Sequence, residues 1–266
     1  MKLCIFPNDP IFAYYKKGEL KDRYYNPKDV FDELHIISFT KNDIEEKRVQ
    51  KIAGNAKLFN HSVGKINFLN KHIRKNQIIK IVKNIEPDII RSYNALLEGW
   101  VAAHCSKKLK IPLYVSLHVQ YDNKRNFEKS KNYKKFLILK IYRKNIEPFT
   151  LKTAKKITIV YKIIEPYVNE LTNQNPEILY NRIDLKRFSQ GKKNQNFDKP
   201  LIISVGRLTS RKNHDCLIQS IKDLDVYLQI IGDGEEYDNL VNLVKELKIE
   251  EKVKFIKSVP NLSLIH

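Results

Sequence analysis

The 266 residues are 42% apolar and 30% charged, and 49 lysines and arginines against 30 acids leave a formal charge of +19. This composition excludes a globally disordered chain, and no apolar run reaches the ~18–20 residues that span a bilayer. The charge calls for anionic partners (nucleotides, nucleic acid or anionic headgroups) without choosing among them, and lysines at helical spacing fit solvated helix faces equally well.

Lys2 to Pro7 reads as a buried strand, and its apolar run stops too early for a signal peptide. Asn8 to Asp29 reads as a long polar loop rich in tyrosine (Tyr14, Tyr15, Tyr24, Tyr25). It is long enough to cover a site, and stands equally as an ordered surface loop with half-buried rings. Leu34 to Phe39 is the second strand, Asn42 to Val63 has no clear period, and Ile66 to Asn84 has helical spacing. A regular alternation follows: a strand from Asp88, a helix over Leu96 to Leu109, a strand over Pro112 to Leu117 ending at His118, and a polar loop to Asn123. The βαβαβ order predicts an α/β fold with a parallel sheet.

Lys131 to Ala154 reads as a long basic helix that Pro148 should kink or interrupt. Ile157 to Tyr161 is a strand, Ile163 to Leu171 a helix and Glu177 to Ile183 a strand. Ser189 to Lys199 is polar and reads as a linker. Residues 1–188 and 200–266 are thus expected as two domains, the second incomplete because the chain stops within an apolar run begun at Leu262. Cys4, Cys105 and Cys216 have no C-x-x-C or zinc spacing. They are expected as buried or half-buried thiols in a reducing, cytoplasmic setting.

The most informative stretch runs from Pro200 to Gly234. A strand (Leu201 to Val205) ends at Gly206, a cationic loop Arg207 to Asn213 follows, then a helix from His214 to Leu224, a second strand (Val226 to Ile231) and the turn Gly232-Asp233-Gly234. Two parallel strands joined by a helix bring both loops to the carboxyl edge of the sheet, where open α/β sheets bind ligands. Arg207 offers a forked donor, Lys212 a point charge and the helix start free N–H groups, together a phosphate-binding set. Gly232 and Gly234 let backbone approach a ligand. Neither G-x-G-x-x-G nor a Walker loop occurs. From spacing alone, Arg-x4-Lys fits a solvated loop as well, the glycines a helix-entry turn and His118 a packed histidine. Glu235 to Lys248 is then an amphipathic helix, and Lys252 to Val259 a third strand.

Leu201 to Ile218 (LIISVGRLTSRKNHDCLI), followed by Ile230-Ile-Gly-Asp-Gly-Glu235, Leu240 and Val253-Lys-Phe255, resembles the signature of family 4 glycosyltransferases, of the GT-B type. Ile178-Leu-Tyr-Asn-Arg-Ile-Asp-Leu-Lys-Arg-Phe188 resembles that family's junction segment, including Asn181 and Asp184. The resemblance implies two Rossmann-like parallel-sheet domains. It also implies metal-independent transfer of a sugar from a nucleotide-sugar co-substrate to an acceptor hydroxyl, with retained configuration and no further cofactor. By the match, Arg207 and Lys212 hold the donor diphosphate, Gly232 and Gly234 pass close to the nucleotide, and His118 stands near the transferred sugar. Arg182 replaces the family's junction glycine, and only Gly18 stands where a glycine pair is common after the first strand. The family's Glu-x7-Glu region would fall beyond position 266, so weak donor binding and little turnover are expected. The acceptor is expected to be a carbohydrate or a lipid-linked one. The basic first domain, Lys131 to Lys156 especially, is expected either to sit on the cytoplasmic face of an anionic membrane or to be simply solvated. The alternatives are a GT-B sugar-nucleotide epimerase, a class that shares the architecture but not this Arg/Lys signature as closely, and a non-enzymatic basic protein binding nucleic acid or membrane, for which no recognised nucleic-acid motif occurs.

Overall fold

A computed structural model describes residues 1–16, 20–181 and 197–257, apart from five side chains in 124–131. The chain divides into two compact units, Met1–Arg182 and Ile183–His266. Gly18, Arg182, Asp184, Phe188, most of the expected linker and Leu262 lie outside the described residues.

The first unit is a seven-stranded sheet in the order β3-β2-β1-β4-β5-β6-β7. The strands are β1 (Lys2–Phe6), β2 (Glu33–Ser38), β3 (Lys57–Ser62), β4 (Ile89–Ser92), β5 (Leu113–Leu117), β6 (Lys156–Ile159) and β7 (Glu177–Ile178). Every pairing is parallel. Successive residues of β1 serve opposite faces: Leu3 and Ile5 pack with Leu34, Ile36 and Ile52, while Cys4 and Phe6 pack with Ile78, Val82 and Trp100. Burial on both faces is why these strands read as continuous apolar runs. The order reverses between β1 and β4, and the carboxyl ends of strands at such a reversal are where open α/β sheets bind ligands.

The helices are α1 (Ile11–Lys16), α2 (Glu46–Val49), α3 (Lys71–Ile85), α4 (Leu97–Leu109), α5 (Tyr121–Lys131), α6 (Tyr133–Ile141), α7 (Glu147–Thr153) and α8 (Glu165–Leu171). Four depart from the sequence reading. Helix α1 lies within the expected loop, its first turn capped by Asp43, whose carboxylate accepts from Ile11 N at 2.9 Å and Phe12 N at 2.7 Å. A cap supplied from 31 residues away leaves no local signal. Helix α3 starts at Lys71 rather than Ile66 because the Asn67 and Asn70 side chains hold the preceding residues in a turn. Helix α5 occupies part of the expected loop after His118. Pro148 does not break its helix: a π turn over Tyr142–Ile146 joins α6 to α7, with right-handed helical dihedrals at Ile141, Tyr142 and Glu147. A wider turn relieves the clash between the proline ring and the carbonyl four residues back. Strand β7 is shorter than expected, and Cys216 is exposed while Cys4 and Cys105 are buried.

His104 lies against Trp100 and Phe149, with ring centroids 4.3 and 4.5 Å away. Burial, then Lys75, His72 and Lys107, holds its imidazole down at about 4. A histidine kept neutral in the fold but free to protonate once unfolded costs stability as the pH falls from its ordinary 6.5 toward about 4. Discounted for its partial exposure, the expected loss is about 1–2 kcal/mol. Urea titrations across that range should show it, and His104→Phe should flatten it.

The second unit is a parallel three-stranded sheet, β8 (Leu201–Val205), β9 (Tyr227–Ile231) and β10 (Val253–Ile256), in the order β10-β9-β8. Helices α9 (His214–Ser220) and α10 (Tyr237–Glu246) cover one face through Ile218, Leu240 and Val244. Helix α9 is shorter than the sequence suggested. Among the described residues no helix is long and apolar enough to cross a membrane, and no group of three or more His, Cys, Asp or Glu could hold a metal ion.

Candidate functional site

In the second unit the parallel ladder continues past the strand ends. Gly206 N donates to Ile231 O at 3.0 Å and Gly232 N to Ile256 O at 2.9 Å. The two loops beyond are stitched together: Leu208 N donates to Asp233 O, and Glu236 N to Leu208 O, both at 3.0 Å. Leu208 is fully buried and anchors the cationic loop in the core. A Cβ on Gly232 would stand 1.9 Å from Gly206 O, and one on Gly234 would stand 2.3 Å from Leu208 O. The bare glycines therefore let the second loop lie directly on the first. That is a packing reason for both residues, where sequence reasoning saw only closeness to a ligand or a helix-entry turn.

Arg207 and Lys212 both lie exposed on this edge. Among the described residues neither has a salt-bridge partner. Lys212 closes a single 3-10 turn (Ser210–Lys212), and its Cε lies 3.9 Å from where a Cβ of Gly206 would be, so its side chain folds back over the end of β8. Asn213 then takes a left-handed conformation, φ 50°, and turns the chain into α9, whose first N–H groups have no side-chain cap. His214 is buried beneath, and its Nδ1 finds no partner among the described residues. Burial first, and Lys212 second, depress its pKa. The edge thus carries two uncompensated cations on a loop fixed from below, which suits a multiply charged anion.

In the first unit, His118 stands at the end of β5, next to the strand-order reversal. It is partly buried against Tyr93, with ring centroids 5.8 Å apart. The Arg91 guanidinium lies 4.7 Å from the Tyr93 centroid and donates to Ser116 Oγ at 3.1 and 3.3 Å. Burial, then Arg91, pushes the imidazole of His118 below its usual range. It is therefore neutral near neutral pH, able to give one hydrogen bond and accept another.

Sequence reasoning missed Asn94 beside it. This side chain is buried, accepts from Leu96 N at 3.0 Å and Gly99 N at 3.2 Å, and donates to Glu98 at 3.2 Å and Asn8 at 3.5 Å. It ties the ends of β1 and β4 to the start of α4. A Cβ on Gly99 would stand 2.1 Å from Asn94 O, so the helix can approach only as glycine. The one local signal was an asparagine shortly before a helix. Asn181 is exposed near the end of the first unit's described residues, and Asp184 lies outside them.

Residues 186–266 match the family model of glycosyl transferases group 1. The chain is 45% identical over 80 residues, 29% of its own length and 22% of the relative's, to N-acetylgalactosamine-N,N'-diacetylbacillosaminyl-diphospho-undecaprenol 4-alpha-N-acetylgalactosaminyltransferase of Campylobacter jejuni. It is 30% identical over 171 residues, 62% of its length and 43% of the relative's, to an uncharacterized glycosyltransferase of Methanocaldococcus jannaschii. It therefore spans less than half the length of either relative. Among solved structures it resembles the lipopolysaccharide outer core galactosyltransferase WaaB with a TM-score of 0.66 at 16% identity, covering 100% of this chain and 70% of that one. That likeness identifies the fold as GT-B, in agreement with the α/β reading.

Proposed function

We propose, from the match of residues 186–266 to the family model of glycosyl transferases group 1, that the chain moves a sugar from a nucleotide-sugar donor to an acceptor hydroxyl. The observation that carries this reading is the pair of cations Arg207 and Lys212, without a salt-bridge partner among the described residues, at the carboxyl edge of a parallel sheet inside the matched segment. Transfer breaks the bond between the anomeric carbon and the donor's diphosphate oxygen. It forms one to the acceptor oxygen, whose hydroxyl proton passes to the departing diphosphate. Negative charge collects on the departing nucleoside diphosphate, and a forked and a point cation there lower the barrier by stabilising it. Gly232 and Gly234 bring backbone toward the nucleotide, and His118 serves the transferred sugar as a neutral hydrogen-bonding group. Asn181 and Asp184 act at the junction. The transfer retains anomeric configuration and uses no metal. The acceptor is a carbohydrate or lipid-linked one, the kind of substrate printed in the Campylobacter relative's name.

Nucleoside-diphosphate sugars should raise the melting temperature, and Arg207→Ala and Lys212→Ala should each weaken that binding by about tenfold or more, the worth of one charge-assisted hydrogen bond. Product analysis with the best donor then separates the readings. Sugar appearing on an added acceptor supports transfer. Interconversion of the donor sugar without an acceptor would make the chain an epimerase. Stabilisation by any oligonucleotide, collapsing with salt, would make it a nucleic-acid binder.

A further inference from the structure

We infer, resting on the transfer reading above, that Arg91 is a specificity residue for an anionic acceptor, one whose accepting sugar carries a carboxylate or a phosphate close to the reacting hydroxyl.

Alternation along the strands puts Arg91 on the face that Tyr93, just beyond the end of β4, also joins, while Ile90 and Ser92 turn to the other. Tyr93 packs with Leu3 and Ile5, whereas Ile90 packs with Val115 and Leu117. By the same alternation Ser116 and His118 share the Arg91 face at the end of β5. Thr158 stands opposite Ser116 on β6. The parallel register sets Arg91 between Ile5 and Tyr114. Toward β1 this face is apolar, and toward β5 and β6 it carries hydroxyls.

Arg91 Nε and Nη2 both donate to Ser116 Oγ, at 3.3 and 3.1 Å, and Thr158 Oγ1 donates to the same oxygen at 2.9 Å. Ser116 is buried, so the hydroxyl pair fixes one edge of the guanidinium from below. The Tyr93 ring, 4.7 Å from Cζ, flanks the group. The other edge, Nη1 with the second Nη2 proton, has no partner among the described residues, and no carboxylate there pairs with Arg91. Arg125 and Arg143 differ. Each meets two carboxylates, Asp122 with Glu147 for the first and Asp122 with Glu170 for the second. A fork held only by neutral groups keeps its charge and its open edge for an incoming oxyanion.

The charge lies close to where transfer is proposed to occur. Tyr114 is the ladder partner of Arg91, and His118 stands farther along the same strand direction. Arg91 and His118 both lie against Tyr93, so the guanidinium is set back along the sheet from His118 with one tyrosine ring between them. After burial, Arg91 is the group that lowers the His118 pKa, and no carboxylate enters that balance. The donor's diphosphate has Arg207 and Lys212 in the second unit. The charge that Arg91 meets is therefore the acceptor's.

The test is ligand-observed NMR on the full chain with matched sugars: methyl glucuronide and glucosyl phosphate against methyl glucoside. The charged sugars should bind about tenfold tighter or more, the worth of a charge-assisted fork. Arg91→Gln should erase that ratio, and Arg91→Lys, which keeps the charge and loses the fork, should keep part of it. Arg207→Ala should leave the glucuronide ratio unchanged. Ser116→Ala, a smaller change, should lower the ratio while circular dichroism shows an intact fold. An Arg91 with a structural role alone would weaken charged and neutral sugars alike when replaced. Equal or undetectable binding of charged and neutral sugars by the wild type overturns the proposal, as does a ratio that survives Arg91→Gln. A preference that appears only for UDP-glucuronate over UDP-glucose overturns it too, because the charge then belongs to the transferred sugar. Should nucleoside diphosphates ignore Arg207 and Lys212 while the glucuronide ratio still follows Arg91, the transfer reading falls and Arg91 remains a contact for anionic sugars.

Discussion

Gly232→Ala should destabilise the second unit by roughly 3–4 kcal/mol, at the upper end of what single substitutions do. The added methyl would stand 1.9 Å from Gly206 O, and Gly232 has φ +154°, a conformation that side-chain-bearing residues rarely adopt. The obstacle is backbone, so no rotamer relieves it, and β8 and β9 must part where their ladder ends. Gly206→Ala is the internal control. Its nearest neighbour is Lys212 Cε at 3.9 Å, ordinary contact with a flexible chain, and the cost should stay below about 1 kcal/mol. Urea unfolding followed by a probe in the second unit separates the two. Should Gly232→Ala keep wild-type stability and lose only nucleotide affinity, the glycine serves the ligand rather than the packing of the loops.

Arg125→Met should cost about 3–5 kcal/mol, the usual penalty for stranding one half of a buried ion pair. Arg125 bonds Glu147 at 2.7 Å and also pairs with Asp122, and Glu147, fully buried, accepts from the Tyr167 hydroxyl as well. This network fastens α5, which begins just after His118, to α7 and α8. Burial pushes the Glu147 carboxyl above the usual carboxylate range even with Arg125 and Tyr167 pulling it down, and removing Arg125 raises it further. An acid whose folded pKa lies above its unfolded value binds its proton more tightly in the fold, so stability falls as pH rises through that range. The deficit of Arg125→Met should be largest near neutral pH and shrink in mild acid. Adding Glu147→Gln, which keeps an acceptor for Tyr167, should recover much of it. A pH-independent deficit that the second substitution does not relieve would show lost packing rather than a stranded charge.

Much of this was readable residue by residue. The parallel α/β order followed from apolar runs such as Leu113 to Leu117 and Leu201 to Val205, each ended by a polar or glycine loop, because strands covered on both faces leave that mark. The amphipathic α10 was equally plain. What escaped was decided by partners distant in sequence. Helix α1 depends on Asp43, and Pro148 is accommodated by a π turn that has no sequence period. Arg125 and Glu147 look like any other charges in a chain with 49 basic and 30 acidic residues. Asn94 and Gly99 draw their importance from each other. At the cationic edge the residues were legible but their reasons only in part: Arg207 and Lys212 stand out by type, whereas the packing need for Gly232 and Gly234 appears only once the two loops lie together.

The claim that Arg207 and Lys212 grip a donor's diphosphate is tested most directly by phosphorus NMR of a nucleoside diphosphate titrated with the protein. Both phosphate resonances should shift or broaden with the wild-type chain, and much less with Arg207→Ala or Lys212→Ala. Lys254→Ala, an exposed lysine on β10 away from this loop, should match the wild type. Equal perturbation by all four proteins would contradict the account and leave the cationic loop as solvated surface.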